Sequence, residues 1–335
     1  MIISRNILQS IRQLILIESC SPCSRHYGPS ACQLRQKAIL DSCQKSYFSL
    51  GTSAFNSPNS EDVVKKRQAE LMAKGLPKKK AIPGVKDIIL VVSAKGGVGK
   101  STVAVNVASA LARGRPSKIG LLDADIFGPS IPLMMNFGDL TPEVNKDNHM
   151  IPLVNYGVKC MSMGFLLSES SAVIWRGLMV MKALEQMTRQ VDWTDTECLI
   201  VDTPPGTGDT LLSLFQTVPV SGVVMVTTPE TLALQVARRG ATMIQKLGVP
   251  IVGIVSNMSS VICNNCHTDI PIFGDGSEKL AADLGVPLIT EIPLTCERDA
   301  IIKPAIVQDP NSFKAQKFLQ IANFVENFLS SQNNR

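Results

Sequence analysis

The sequence has little charge and no long apolar run. Charged residues make up only 18% of its 335 residues and hydrophobic residues 45%, a balance too apolar and too weakly charged for a disordered protein. No apolar stretch approaches the roughly 20 residues of a membrane-spanning helix, so we expect a soluble protein without stable membrane insertion. The nine cysteines are an odd number, which argues against a complete disulfide framework and for a reducing compartment.

The net charge of +5 is concentrated at the N-terminus, where residues 1–50 hold six Lys and Arg against two acids. The rest of the chain is therefore nearly neutral, and a basic body that binds nucleic acid is not predicted. The first segment is also rich in Ser, with Ile7, Leu8, Ile11 and Leu14 at helical spacing. These features predict that residues 1–50 are a mitochondrial presequence (transit peptide), which places the mature protein in the mitochondrial matrix. Residues 51–84 are predicted to be a linker with a short basic helix.

From residue 85 onward, short β-branched apolar runs alternate with helical patterns. Continuously apolar strands separated by long crossovers indicate a parallel sheet with helices on both faces. We therefore predict one α/β domain over residues 85–335, built on a doubly wound, mostly parallel sheet. The predicted strands are 88–93, 119–123, 158–162, 199–202, 223–227 and 251–256.

A glycine-rich loop directly follows the first predicted strand and opens a helix. Its glycines let backbone N–H groups point at phosphate oxygens, and the helix N-terminus adds positive charge. Lys100 can reach the β- and γ-phosphates, and the Ser101 hydroxyl is placed to bind Mg²⁺. Strand, loop and helix in this order predict a nucleotide-binding P-loop. The loop consists of Ala94, Lys95, Gly96, Gly97, Val98, Gly99, Lys100, Ser101 and Thr102.

Two carboxylates follow other predicted strands, where the ligands of open α/β sheets collect. A carboxylate in the position of Asp202 can hold Mg²⁺ through water. Asp125 is predicted to orient or activate the attacking water, because phosphoryl transfer depends on positioning and on charge neutralisation. Capping of a helix or turn is the alternative for both, and it is a stronger alternative for Asp123 and Asp209.

Cys263 and Cys266 form a Cys-x-x-Cys pair shortly after the last predicted strand. Tetrahedral Zn²⁺ and a [4Fe-4S] cluster each take four ligands, and two copies of the pair at the axis of a homodimer would supply them. One shared [4Fe-4S] cluster is therefore predicted. A redox-active dithiol, a shared zinc site and, with His267, a c-type haem attachment remain alternatives. Cys160 and Cys198 fall within predicted strands and are expected to be buried.

Several motifs together resemble one family, over about residues 63–329. The chain is similar to the Mrp/Nbp35 branch of the P-loop ATPases with a deviant Walker A motif, the MinD-like type. These proteins are scaffolds or carriers of iron–sulfur clusters, and the presequence looks like that of the mitochondrial member, an assembly factor for respiratory complex I. The motifs are Lys95 with the glycine loop, Asp125-Ile-Phe-Gly-Pro-Ser130, Trp175-Arg-Gly-Leu-Met179, Asp202-Thr-Pro-Pro-Gly-Thr-Gly-Asp209, Ser256-Asn-Met-Ser259 and the cysteine pair.

The resemblance implies roles for individual residues. Lys95 would reach across a homodimer to the partner's nucleotide, Asp202 would hold Mg²⁺, and Asn257 would read adenine, which favours ATP. Slow ATP hydrolysis would gate the cluster, taken from iron–sulfur donor proteins and passed to complex I subunits. The chain also departs from its relatives, which usually carry Gly, Gln and Pro where Ala94, Glu230 and Asn264 stand. Near the C-terminus, the usual Asp-x-Gly-x-Pro is altered over residues 299–304.

Two other functions share the P-loop. A partitioning-type ATPase that acts on DNA or membrane needs no cysteine pair, but it should carry a basic surface or a C-terminal amphipathic membrane helix. The helix predicted over residues 315–329 has few charges and is expected to pack in the core instead. A nucleotide-binding scaffold without turnover is the other alternative.

Overall fold

The structure is a computed structural model, and it describes residues 79–166, 177–263, 266, 268–294 and 303–333. The predicted presequence and most of the predicted linker lie outside these residues. So do Trp175, Asn264, His267 and most of the altered segment 299–304.

The strands of the described part form one mixed, mostly parallel sheet. Its order is β3-β4-β2-β5-β1-β6-β7-β8, and β9 pairs with β7. Every pairing is parallel except β3 with β4 and β7 with β8. The predicted α/β class with a mostly parallel sheet is confirmed. The strands are β1 (Val85–Val92), β2 (Ile119–Asp123), β3 (Leu153–Asn155), β4 (Val158–Ser162), β5 (Thr196–Asp202), β6 (Gly222–Thr227), β7 (Ile251–Ile262), β8 (Asp269–Pro271) and β9 (Leu288–Leu294).

Helices connect these strands, as the long crossovers of a parallel sheet require. Two of the described helices have only four residues each, and a 3₁₀ turn lies at Met163–Phe165. None of the described helices combines the length and apolarity needed to cross a bilayer. The helices are α1 (Lys100–Leu111), α2 (Ile131–Met134), α3 (Gly177–Arg189), α4 (Asp209–Thr217), α5 (Thr231–Lys246), α6 (Gly276–Leu284), α7 (Ala305–Gln308) and α8 (Phe313–Asn333).

Helix α1 lies inside the core, because its apolar residues surround it on all sides. It packs against α8, which also contacts β9. Helix α8 contributes a stripe of buried side chains at helical spacing, so the prediction that the C-terminal helix packs in the core is confirmed. The stripe consists of Ala315, Phe318, Ile321, Ala322 and Val325.

Strand β7 runs past its predicted end at residue 256 and reaches Ile262. The polar residues after 256 resemble the end of a strand, but the chain bends there and continues. Met258 has a positive φ of 56°, and the pairing with β9 shifts register between Asn257 and Val261. Such an irregularity re-aims a strand. The extension then pairs with β8 in a hairpin that carries the cysteine pair.

The parallel arrangement brings three strand ends to one edge of the sheet. Asp202, the last residue of β5, is in register with Val91 of β1 and with Asp123 of β2. The glycine loop after β1 and the carboxylates after β2 and β5 therefore meet where the ligands of open α/β sheets bind.

Candidate functional site

The glycine loop between β1 and α1 has the backbone shape of a phosphate cradle. Gly97 and Gly99 have φ values of 78° and 84°, in the left-handed region that favours glycine. A Cβ on Gly97 would meet nothing within 4 Å, so this side of the loop is open to a ligand. A Cβ on Gly99 would instead lie 2.2 Å from Nδ2 of Asn257. Gly96 is exposed, and Ser101 and Thr102 are half-buried in the first turn of α1.

Lys100 is buried beneath this loop and is held by carboxylates. Its Nζ lies 2.6 Å from Oδ1 of Asp202 and 3.9 Å from Oδ2 of Asp125, and it also lies 3.4 Å from Oγ of Ser101. The Lys100 side chain is 6% exposed and that of Asp202 is 0% exposed. A charge buried to this extent is stable only when it is paired. The predicted cation and both predicted carboxylates are thus brought together in one cluster.

Asp202 has the features of a metal-binding carboxylate. Its Oδ2 is buried and forms no hydrogen bond within the described structure. Burial raises the pKa of Asp202, and the neighbouring Lys100 ammonium opposes that rise. A free carboxylate oxygen near a serine hydroxyl is the kind of hard oxygen donor set that Mg²⁺ prefers. The residues present therefore fit Mg²⁺.

Asp123 holds the loop that presents Asp125. Its Oδ1 accepts a hydrogen bond from the backbone N–H of Asp125 at 3.2 Å. Its Oδ2 accepts bonds from the N–H of Ile131 at 3.3 Å and the hydroxyl of Ser162 at 2.9 Å. Burial, with the charge of Asp202, raises the pKa of Asp123 to about 7. Burial also raises the pKa of Asp125, against the effect of Lys100. Asp123 is thus a positioning residue, as the capping alternative predicted.

Asn257 lies against the glycine loop. Its Nδ2 donates a 2.9 Å hydrogen bond to the carbonyl of Val98, so the amide stabilises the loop from below. The structure places Asn257 next to the predicted nucleotide site, but its donor is engaged by the loop.

Lys95 pairs with a carboxylate outside the Lys100 cluster. Its Nζ forms an ion pair with the Oε2 of Glu230, at the start of α5. No local pattern predicts this contact, because the two residues lie 135 positions apart in the chain. Asp209, the other acid considered at a strand end, is exposed in the first turn of α4.

The cysteine pair lies in the turn of the β7–β8 hairpin. The backbone N–H of Cys263 donates to the carbonyl of Thr268 at 3.0 Å, which closes the turn. Cys266 is exposed, and hydrogen bonds from Thr268 and Cys263 lower its pKa to about 7. Near neutral pH a large fraction is therefore thiolate, the form that binds metals.

The two strand cysteines are in the opposite environment. Cys160 and Cys198 are fully buried, as predicted, and burial raises the pKa of both thiols, that of Cys198 to about 12. Buried, protonated thiols are inert and act as small hydrophobic side chains.

The unusual Ala94 of the glycine loop also has a structural counterpart. A Cβ on Gly240 of α5 would lie 3.3 Å from the methyl group of Ala94, so the absence of a side chain at position 240 leaves room for that methyl group.

Comparison with known proteins identifies relatives over most of the chain. The ParA family profile described as NUBPL iron-transfer P-loop NTPase matches residues 84–326. The iron-sulfur cluster transfer protein NUBPL of Mus musculus is 48% identical over 275 residues, 81% of this chain and 86% of the mouse protein. An Arabidopsis thaliana protein named as a mitochondrial iron-sulfur protein required for NADH dehydrogenase is 50% identical over 243 residues, 71% of this chain and 77% of its own. The iron-sulfur cluster carrier protein of Escherichia coli K12 is 45% identical over 248 residues, 73% of this chain and 67% of its own.

Solved structures agree with the fold. A nucleotide-binding protein from Archaeoglobus fulgidus, solved in complex with ADP, superposes with a TM-score of 0.56 and 30% identity, over 71% of this chain and 89% of its own. The cell division ATPase MinD of Pyrococcus furiosus has a TM-score of 0.50 and 22% identity, over 72% of this chain and 98% of its own. The second likeness concerns the fold alone.

Proposed function

Because this chain belongs to the NUBPL iron-transfer P-loop NTPases of the ParA family, we propose that it is an ATP-dependent carrier of iron–sulfur clusters. Its relatives are named for cluster transfer and cluster carriage. In this proposal ATP is the substrate of the glycine loop, and the cluster is the cargo of Cys263 and Cys266.

Nucleotide binding would begin with an exchange of partners at Lys100. Phosphate oxygens in the loop would replace Asp202 as the partner of the Lys100 ammonium. The released Asp202 carboxylate and the Ser101 hydroxyl would then hold Mg²⁺, directly or through water. Bound Mg²⁺ neutralises charge on the β- and γ-phosphates. Asp125, which already lies beside Lys100, would orient the attacking water for slow hydrolysis.

Two further residues would act at the edges of this site. Lys95 would stabilise phosphate charge across a homodimer, once it leaves Glu230. Asn257 would read adenine once its amide leaves the Val98 carbonyl. Nucleotide binding would therefore also break the hydrogen bond by which Asn257 stabilises the glycine loop.

The cargo would be a [4Fe-4S] cluster held between two copies of the chain. A cluster of this kind takes four thiolates, and one hairpin offers two. Cys266 is exposed and its thiol ionises near neutral pH, which suits both loading and release. A homodimer that places the two hairpins at its axis would complete the ligand set.

The destination follows from the relatives. One is named for NADH dehydrogenase and mitochondria, which supports a mitochondrial role for this chain in assembling respiratory complex I. We propose that residues 1–50 are a presequence that directs the protein to the matrix, that residues 51–84 are a linker, and that residues 85–335 carry the activity. Iron–sulfur donor proteins and complex I subunits would be the partners.

One observation carries the proposal: β7 contacts the nucleotide loop and continues into the cargo hairpin. Asn257 in β7 bonds to the carbonyl of Val98, and Cys263 follows directly after the strand ends at Ile262. A change in the loop on nucleotide binding would reach the cysteines through a single, irregular strand. That continuity is what an ATP-gated carrier requires.

Complementation tests this function in its cellular setting. Cells that lack their own NUBPL relative would receive the full chain, and complex I assembly would be measured by native electrophoresis and NADH oxidation. We expect wild type and Cys198→Ala, a control that removes a buried thiol, to restore assembly. Cys263→Ala, Cys266→Ala and Lys100→Ala should fail at equal protein levels. Full rescue by the hairpin variants would refute the proposal.

A further inference from the structure

The ion pair between Lys95 and Glu230 is a feature that the proposed function does not explain. Both side chains are partly exposed, Lys95 to 41% and Glu230 to 38%, so the pair lies at the surface. Glu230 is the residue that precedes α5, yet its side chain forms no capping hydrogen bond with that helix. Its carboxylate is engaged by Lys95 instead.

The two lysines of the glycine loop are held in different ways. Lys100 is buried between Asp202 and Asp125, inside the nucleotide cluster. Lys95 is at the surface, and Glu230 is its ion-pair partner in the described structure. An exposed pair of this kind is weak and readily exchanged, because water and salt screen it. The several negative charges of a triphosphate can therefore displace a single carboxylate.

The carboxylate of Glu230 acts on Lys95 differently from a neutral side chain of the same size. A glutamine amide could accept a hydrogen bond from Lys95, but it could not neutralise the ammonium. The carboxylate does both, so Lys95 carries less net charge toward an incoming phosphate here than it would beside Gln.

Glu230 also lies next to the base of the cargo hairpin. Its neighbour Pro229 lines a groove of about 480 Å³ together with Ser260 of β7 and Asp269 of β8. The residue that holds Lys95 is therefore one peptide bond away from a surface shared with the cysteine hairpin.

We propose that Glu230 is a positioning residue that holds Lys95 within its own subunit until nucleotide phosphate displaces its carboxylate. The inference rests on the proposed function, in which Lys95 acts on a nucleotide across a homodimer. Its consequence is a threshold: without a bound cluster, the dimer forms only at ATP concentrations high enough to draw Lys95 away from Glu230.

The test is an ATP titration of the full chain free of bound cluster, with mass in solution as the readout. Glu230→Gln keeps the size of the side chain and removes its charge. We expect the ATP concentration for half-maximal dimer formation to fall about two- to fivefold, the effect of losing an exposed ion pair. Asp283→Asn is the matched control, because it breaks a similarly exposed pair with Arg238 on α5 without touching Lys95. It should leave the titration unchanged.

Salt separates this role from a structural one. At high ionic strength the pair is screened, so the difference between wild type and Glu230→Gln should shrink toward none. A difference that arises from packing or helix capping would persist. An unshifted titration, a shift equal to that of Asp283→Asn, or a shift insensitive to salt would overturn the proposal. The absence of an ATP-dependent dimer in either protein would overturn it as well, while binding of iron by the hairpin, measured separately, would leave the cargo function standing.

Discussion

Replacement of Lys100 by Met is expected to destabilise the nucleotide-free protein, apart from its effect on nucleotide binding. Met keeps the length of the side chain and removes the ammonium. Asp202, which is 0% exposed and 2.6 Å from the Lys100 Nζ, would then be a buried charge without its partner. Removing one member of a buried pair costs about 3–5 kcal/mol in the free energy of unfolding. We expect a loss in that range at pH 8.

The stability lost in Lys100→Met should increase as the pH rises. Burial already raises the pKa of Asp202, and Lys100 is the group that opposes the rise. Without Lys100 the folded-state pKa lies further above that of the unfolded chain, so the folded variant retains a proton that the unfolded chain has released. Stability therefore falls as pH rises through that window. The difference between wild type and variant should be smaller at pH 5 than at pH 8.

Urea unfolding without nucleotide, analysed by linear extrapolation at several pH values, measures this difference. Lys118→Met is the matched control, since Lys118 and Asp195 form an exposed pair at 3.9 Å. That change should cost less than about 1 kcal/mol. In the double variant Lys100→Met with Asp202→Asn, the loss should be smaller than the sum of the single losses. If Lys100→Met behaved like the surface control at every pH, the reasoning about the buried pair would be wrong.

Three further predictions concern the loop and the thiols. Gly99→Ala should destabilise the protein more than Gly97→Ala, by about 1–3 kcal/mol in urea unfolding, because both positions have positive φ but only at position 99 does the new Cβ clash. The effect of Gly240→Ala on the free energy of unfolding should be more favourable by about 0.5–1 kcal/mol in an Ala94→Gly background than in wild type, because the facing methyl group is then absent. Equal effects in both backgrounds would refute the contact. In the metal-free protein, iodoacetamide should modify Cys266 at a rate that rises up to about pH 7 and then levels off, whereas Cys198 stays unmodified. Peptide mass spectrometry measures both reactions, and labelling of Cys198 in the folded protein would contradict the prediction.

The parts of the fold that could be predicted are those with local signals. The six predicted strands are present, since most of them are dominated by apolar residues, as a buried parallel strand requires. The glycine loop was identified because strand, Gly-Lys-Ser and helix follow each other directly. Asp125 and Asp202 could be brought together with Lys100 because parallel strands end at one edge of the sheet.

The remainder depends on contacts between distant segments. Among the described strands, the half-polar β9 (Leu288–Leu294) pairs only with β7, and nothing in its own sequence predicts that partner. The extension of β7 depends on a bend at Met258, a residue that rarely takes positive φ. The Lys95–Glu230 ion pair and the hydrogen bond from Asn257 to Val98 each join segments that are distant in the sequence and adjacent only in the folded protein.

Anaerobic reconstitution of the full chain with iron and sulfide tests whether the cysteine pairs of two copies hold one iron–sulfur cluster. Iron content, the Mössbauer spectrum and the mass in solution would be measured for wild type and for the variant with Cys263→Ala and Cys266→Ala. We expect about four irons per dimer in wild type, with the signature of a [4Fe-4S] cluster, and their loss in the variant. Zinc alone, or the same iron content in both proteins, would contradict this expectation.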